Sequence, residues 1–350
     1  VTRGALFAAL ATLLACEDTG ARTRVATQST PVDAAMPGPM RRRGEQAVAL
    51  NATCERCHAD VAREWRASLH QRANVEPAYQ RAFAIEPMPF CRSCHAPEAE
   101  PHELPSEAVS ELGVGCVTCH VTGDAVLAAP REGGRDAPHA VLRVPAFGSP
   151  DACASCHQFR FPGRTGSSPV DFMQTTLFEH QASAARDRSC AECHMPSDAT
   201  GRRSHLFTSS RDPARMRAAV RVLATRTTAS TVSVRLDTNE VGHAFPTGDL
   251  FRRVEVVAEA FADDHAVVAT ARRYLTRHFE HTSRGRVLRA DDRLTDEGRV
   301  LTLELGEAAR DLPIAYRVSY QRVAHPEGAL DEAAELEDEI VLAEGELPPP

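Results

Sequence analysis

Cys54-Glu55-Arg56-Cys57-His58 is the stretch on which the reading of this chain turns. The same spacing returns at Cys91-Arg92-Ser93-Cys94-His95, Cys116-Val117-Thr118-Cys119-His120, Cys153-Ala154-Ser155-Cys156-His157 and Cys190-Ala191-Glu192-Cys193-His194. C-x-x-C-H is the attachment signature of c-type haem: the two thiols bond to the haem vinyl groups and the adjacent histidine binds the iron. A zinc site or a redox pair needs only C-x-x-C. Zinc would also need the pairs in twos, and five is odd. Histidine is 15 of 350 residues, so five chance placements directly after five such pairs have a probability of roughly 10⁻⁷. The expected cofactors are five covalently bound c-type haems, with His58, His95, His120, His157 and His194 as proximal ligands. Ten of the 11 cysteines are used in this way, which leaves none for structural disulfides.

The remaining cysteine, Cys16, belongs to a different pattern. Arg3 and the apolar run Ala5 to Ala15 read as an export signal, too short to span a bilayer as a stable helix. The run ends Leu13-Leu14-Ala15-Cys16, which resembles a bacterial lipobox and implies cleavage before Cys16 and a lipid anchor on its thiol. Export suits haem attachment, which takes place outside the cytoplasm. The expected location is therefore periplasmic or cell-surface, on a bacterial membrane. The formal net charge is −8, from 48 acidic and 40 basic residues, and haem propionates would add to it. That balance excludes nucleic acid as a partner class. Aromatic residues are only 5%, but porphyrins bring apolar surface of their own.

Four segments follow from composition and pattern: a signal peptide over 1–15, a flexible tether over 16–45, a pentahaem domain over 46–212 and a β-sandwich over 213–350. The tether is rich in Thr, Ser, Ala, Pro and Arg, with Pro31, Pro37, Gly38 and Pro39 against a helix. The haem segment carries about one motif per thirty residues, too little polypeptide to isolate five porphyrins from one another. It is expected to be mainly α, with short helices near 45–70, 76–85, 106–112, 171–186 and 212–220 and no clear strand. Motif intervals of 37, 25, 37 and 37 residues are too irregular for a true repeat. Beyond about residue 219 the pattern changes to period two. Strand candidates are 231–236, 253–261, 266–272, 300–305, 314–320 and 339–343, which together suggest an antiparallel β-sandwich. Asp331 to Glu339 reads as an acidic solvated loop or short helix.

What fills the iron face opposite each proximal histidine separates electron transfer from catalysis. Six further histidines, His70, His102, His139, His180, His205 and His243, fall between His58 and His243. Six candidates for five positions point to mostly bis-histidine ligation. His70 sits on an expected helix with Trp65, both leaning toward one haem edge. His180 lies on the helix after Asp171, His205 follows the last motif, His139 follows Pro138 and His102 lies in Pro101-His102-Glu103. His243 lies in Gly242-His243-Ala244-Phe245-Pro246-Thr247-Gly248, a loop bounded by Gly and Pro between strand candidates. Arg252 and Arg253 behind it are candidate partners for propionates.

The five C-x-x-C-H motifs, the Trp65…Ser68…His70 segment and Cys190-Ala191-Glu192-Cys193-His194-Met195-Pro196 followed by His205 resemble the multihaem cytochromes c. The likeness is to the cytochrome c-554 group, related to pentahaem nitrite reductase and octahaem hydroxylamine oxidoreductase, over about residues 50 to 253. It implies a helical haem array with closely stacked porphyrin pairs. The nitrite reductases carry a lysine in place of one motif histidine, and none is present here. Hydroxylamine oxidoreductase uses eight haems and a tyrosine cross-link, whereas Tyr79 is the only tyrosine of the haem segment. Neither active site transfers.

Three functions compete. The first is an exported, lipid-anchored pentahaem cytochrome that relays electrons between redox proteins, either other cytochromes or a membrane oxidoreductase. The second is an oxidoreductase acting on a small nitrogen or sulfur compound at one open haem. The third is a module whose β domain docks a partner while the haems form part of a longer conduit. The lipobox reading has a direct test: Cys16→Ser should move the protein from the membrane to the soluble fraction on cell fractionation. Unchanged membrane retention would refute the anchor.

Overall fold

The computed structural model describes residues 36–131, 137–207, 212–283, 285–325 and 332–349. The signal segment, Cys16, most of the tether and Asp331 of the acidic stretch lie outside these residues.

The motif-bearing half begins with α1 (Glu45–Cys57) and α2 (Ala59–Arg66), followed by α3 (Pro77–Ile85), α4 (Pro89–His95), α5 (Glu107–Leu112) and α6 (Cys116–His120). The expected helix over 45–70 is broken at His58, the first motif histidine, whose backbone leaves helical geometry at φ −109° and ψ 46°. Three short strands, β1 (Val121–Thr122), β2 (Ala125–Ala128) and β3 (Val141–Arg143), form one small sheet. Then come α7 (Asp151–His157), β4 (Gln158–Arg160), β5 (Phe172–Thr175), α8 (Thr176–Ala182), α9 (Cys190–His194) and α10 (Pro213–Ala219). The helix expected over 171–186 is therefore a strand followed by a seven-residue helix, with β5 paired to β4.

The apolar clusters of this half are small. Ala47, Trp65, Leu112 and Val117 form one, against which Cys54 and Cys116 pack. Ala96, Ala99 and Val109 form another. Trp65 therefore belongs to a polypeptide core, with its indole N–H donating to Val114 O at 2.9 Å.

The second half is a sandwich. Strands β6 (Val220–Thr228), β7 (Thr231–Thr238) and β12 (Arg299–Glu304) form one sheet, in the order β12-β7-β6. Strands β8 (Arg252–Phe261), β9 (Val267–Leu275), β13 (Ile314–Val323) and β14 (Leu336–Leu347) form the other, in the order β14-β13-β8-β9. All their pairings are antiparallel. Alternate residues fill one core: Val232, Val234 and Leu236 from the first sheet meet Val254, Val256, Ala258, Ile314, Val318 and Tyr320 from the second. The hairpin β10 (Arg277–Thr282) and β11 (Gly285–Asp291) stands apart from both sheets.

The expectation of a mainly α motif half without clear strands, ahead of the sandwich, is overturned: five short strands lie within it. The structure is about 28% helix and 32% strand, with several antiparallel sheets. Two causes account for the difference. The strands of the first half are two to four residues long, too short for a period-two pattern to emerge, and tertiary pairing defines them. The β10–β11 hairpin lacks an apolar face because it reaches over the first half: Arg277 donates to Met173 O at 2.7 Å and Phe172 O at 2.9 Å, and Phe279 stands edge-on to Phe161.

Leu236 is fully buried, whereas Leu223 is 61% exposed. Leu236→Ala should lower unfolding stability by about 2–5 kcal/mol, and Leu223→Ala should change it by no more than about 0.5 kcal/mol. Denaturant titration of the two variants checks the sandwich core.

Candidate haem-binding site

Each motif occupies a short helical stretch: α1 carries Cys54 and Cys57, and α4, α6, α7 and α9 end on their own motif histidines. Residues three apart share a helix face, so both thiols of a motif point to one side. The next residue ends the helix and is free to turn its ring the same way. The motifs also abut one another. The Cys94 and Cys156 thiols lie side by side, as do Cys153 and Cys190. Cys119 is an electrostatic neighbour of Cys156, and Cys116 of Cys54. The fourth motif thus borders the second, third and fifth, and the third borders the first.

Four motif histidines face a second imidazole. Ring centroids are 6.4 Å apart for His58 and His139, 6.1 Å for His157 and His70, 6.2 Å for His120 and His205, and 6.1 Å for His194 and His243. The ring planes cross at 58°, 85°, 33° and 10° in the same order. Two imidazoles on opposite sides of one metal, with metal–nitrogen bonds of about 2 Å, hold their centroids roughly 6 Å apart. The donor set fits c-type haem: two thiols and one imidazole in sequence, with a second imidazole across the gap.

The ring nitrogens fit as well. Nδ1 faces a backbone carbonyl in His120 (Leu127 O, 2.9 Å), His205 (Arg203 O, 3.0 Å), His243 (Ala244 O, 3.0 Å) and His95 (Ala73 O, 2.7 Å). A proton held at Nδ1 leaves the Nε2 lone pair for a metal. In His70, Nδ1 is buried without a hydrogen-bond partner. Burial disfavours the imidazolium and keeps these rings neutral, which is the ligand form: His70 is pushed down to about 3 and His157 to about 4, with neighbouring histidines adding to the effect.

The second-imidazole residues sit on loops, three of which are held by groups that sequence reading had passed over. Val114 N donates to His70 O at 2.8 Å. Beside it Gly113 has φ +55°, and a Cβ there would lie 2.2 Å from Gln71 O and 2.5 Å from His70 O. Glu64, which reads from sequence as one polar residue of a helix, accepts from Arg202 at 2.8 and 3.0 Å and from His205 N at 2.8 Å. The Arg202 hydrogen bond holds the Glu64 carboxyl below its ordinary range. The His243 loop is pinned to the sandwich, where Phe245 and Leu294 exchange backbone hydrogen bonds at 2.8 and 2.9 Å. It is pinned to α8 as well, where Thr247 donates to Glu179 at 2.5 Å.

The remaining sites differ. His95 stacks on Tyr79, with centroids 3.9 Å apart and planes 8° from parallel, and no second histidine ring is paired with it among the described residues. Its charged neighbours, Asp249 and Arg322, come from the sandwich half. Burial opposes charge on Asp249, yet Arg252 and Arg322 hold its carboxyl well below the usual range. His102 is exposed on the loop after α4, with no motif histidine ring paired to it among the described residues. His180 is buried, and both its nitrogens meet carbonyls, Gly242 O and Arg188 O, each at 2.9 Å. Arg252 and Arg253 point to opposite faces of β8, as strand neighbours must. Arg252 pairs with Asp249 at 3.2 Å. Arg253 is 1% exposed, lies over Tyr274 at 4.0 Å and donates to Gln321 at 2.8 Å, which places it away from the histidine pairs.

Residues 53–121 match the family model of cytochrome c554 and c-prime, a narrower stretch than that over which the sequence carries the likeness. The resemblance to the multihaem cytochromes c stands, and it points to c-type haem and electron transfer. The fold is similar to that of a penta-heme cytochrome c552 from Thermochromatium tepidum, with a TM-score of 0.64 at 18% identity, covering 88% of this chain and 99% of that one. MtrC from Shewanella baltica OS185 matches at 17% identity over 74% of this chain and 40% of its own, with a TM-score of 0.19, too low to bear on the fold. No curated protein matches. Among the described residues, no helix is long and apolar enough to cross a membrane.

Gly113 gives the site a test independent of haem loading. Gly113→Ala forces a side chain onto the two carbonyls at His70 in a backbone region that L-residues avoid. Its cost should exceed about 1 kcal/mol, seen as a lowered Tm. A melting curve equal to that of the parent would refute the close approach.

Proposed function

We propose that this chain is an exported pentahaem cytochrome that relays electrons between redox proteins, with four haems in bis-histidine ligation and one open. Bound haem supplies a one-electron iron couple, and five bound in mutual contact supply a path. The observation that carries the reading is the set of four ring pairs at 6.1–6.4 Å. On it, His139 serves opposite His58, His70 opposite His157, His205 opposite His120 and His243 opposite His194. Two imidazoles saturate an iron and leave it to exchange electrons without binding substrate. The neighbouring thiols make the fourth motif a junction: one arm runs through the third motif to the first, and the second and fifth motifs flank it. The lipid anchor at Cys16 remains part of this proposal, with other cytochromes or a membrane oxidoreductase as partners.

One observation favours a second reading. His95 faces Tyr79 on its flank and has no imidazole opposite among the described residues. The haem of the second motif would then offer an iron face to a small ligand, beside Asp249 and Arg322. Chemistry on a small nitrogen or sulfur compound belongs at that face.

Holoprotein purified from a host competent in haem attachment decides the matter. Intact mass should exceed the polypeptide by five haem masses. Electron paramagnetic resonance should show four low-spin irons and one high-spin, with carbon monoxide taken up by one haem in five. Fewer attached haems would sink the pentahaem reading. Five low-spin irons inert to carbon monoxide would remove the open site and leave the relay.

A further inference from the structure

We propose that His180 is a positioning residue for the fifth haem: one imidazole ties the segment bearing the proximal ligand to the loop bearing the distal ligand. The proposal rests on the reading that His194 and His243 share an iron.

His180 is 8% exposed, on the last turn of α8. Its Nε2 meets Arg188 O at 2.9 Å. Arg188 lies two residues before Cys190, and Ser189 between them closes a capping box with Glu192 at the start of α9, which carries Cys190, Cys193 and His194. Its Nδ1 meets Gly242 O, also at 2.9 Å. Gly242 precedes His243, so this carbonyl fixes the peptide from which the distal ring projects. Ser183, one turn on, donates to the same carbonyl at 3.2 Å. The contact is close-packed: a Cβ on Gly242 would lie 2.9 Å from the Ala185 Cβ and 3.5 Å from the His180 Nδ1.

Two carbonyl acceptors engage both nitrogens only when each carries a proton, as in the imidazolium, and a ring so held has no lone pair to offer a metal, although its place among the motifs marks it as a candidate ligand. What it offers is alignment. Ligating imidazoles need neighbours that orient them, and His243 itself has only the Ala244 carbonyl at 3.0 Å. His243 comes from the sandwich half and His194 from the motif half. The tie at Gly242 acts at the residue next to His243 and adds to the hold of Thr247 on Glu179.

The test compares His180→Leu, His180→Asn and His180→Gln with His243→Ala, all as mature holoprotein. The Asn amide lies near the position of Nδ1 and keeps the Gly242 contact. The Gln amide lies near Nε2 and keeps only the Arg188 contact. Expected for Leu and Gln are a high-spin fraction in one haem, carbon monoxide uptake by that haem, and a shift of one reduction potential in five. Asn, which gives up only the Arg188 contact, should show a smaller effect than Leu or Gln. A His180→Leu protein with parental spin states and potentials overturns the proposal. If the Leu variant does not mature, Asn and Gln decide: equal behaviour of the two overturns the role at Gly242. His243→Ala separates the premise. If it leaves its haem low-spin, the ligation reading fails. If it opens one haem while the His180 variants do not, only the positioning role fails.

Discussion

An imidazole has two nitrogens, and a metal takes one most readily when a hydrogen bond holds the proton on the other. Much of this structure follows from that constraint. Backbone carbonyls at Leu127, Arg203, Ala244 and Ala73 engage Nδ1 of His120, His205, His243 and His95, which leaves Nε2 for the metal. Those carbonyls sit on loops and short strands, so the loops must be rigid. Their rigidity comes from a few polar ties: Glu64 to Arg202 and His205, the backbone of Val114 to that of His70, and Glu179 to Thr247 and Arg293. On the proposed reading the same constraint separates His180 from the ligands, because carbonyls meet both its nitrogens.

The sandwich half works as a brace for the motif half. Arg277 and Arg293 are 7% and 6% exposed. One donates to the carbonyls of β5, and the other pairs with Glu179 at 2.8 Å and with Asp291 at 2.7 Å. Buried pairs of this kind cost desolvation and return it only with good geometry. What they secure here is a fixed relation between His243 and α9. The apolar clusters among the motifs are small, so packing there contributes little to that relation.

The sequence was legible wherever a pattern was local. Five C-x-x-C-H motifs, the short helices at 77–85, 107–112 and 213–219, and six of the sandwich strands could be read directly. Strand β6 was missed because its alternation begins where α10 ends, with no loop between them. Strands of two to four residues carry no periodicity to read. At the site, His139, His70, His205 and His243 were legible as candidate ligands, but their partners were not. The pairing of His70 with His157 across 87 positions is a tertiary fact. So is the difference between His180 and its neighbours: an isolated histidine on a short helix looks the same in sequence whether it faces iron or carbonyl.

The crossing angles of the four ring pairs, 10°, 33°, 58° and 85°, have a magnetic consequence. Each axial imidazole donates π density to iron along the normal to its ring plane. Parallel rings act on the same d orbital and split the dxz and dyz levels, whereas perpendicular rings act on both and leave the levels nearly degenerate. On the proposed ligation, four irons with the same ligands would then differ in g-anisotropy, with the His194–His243 pair at the rhombic extreme and the His70–His157 pair at the axial one. Haems attached through motifs of one C-x-x-C-H pattern would thus be distinguished by torsion.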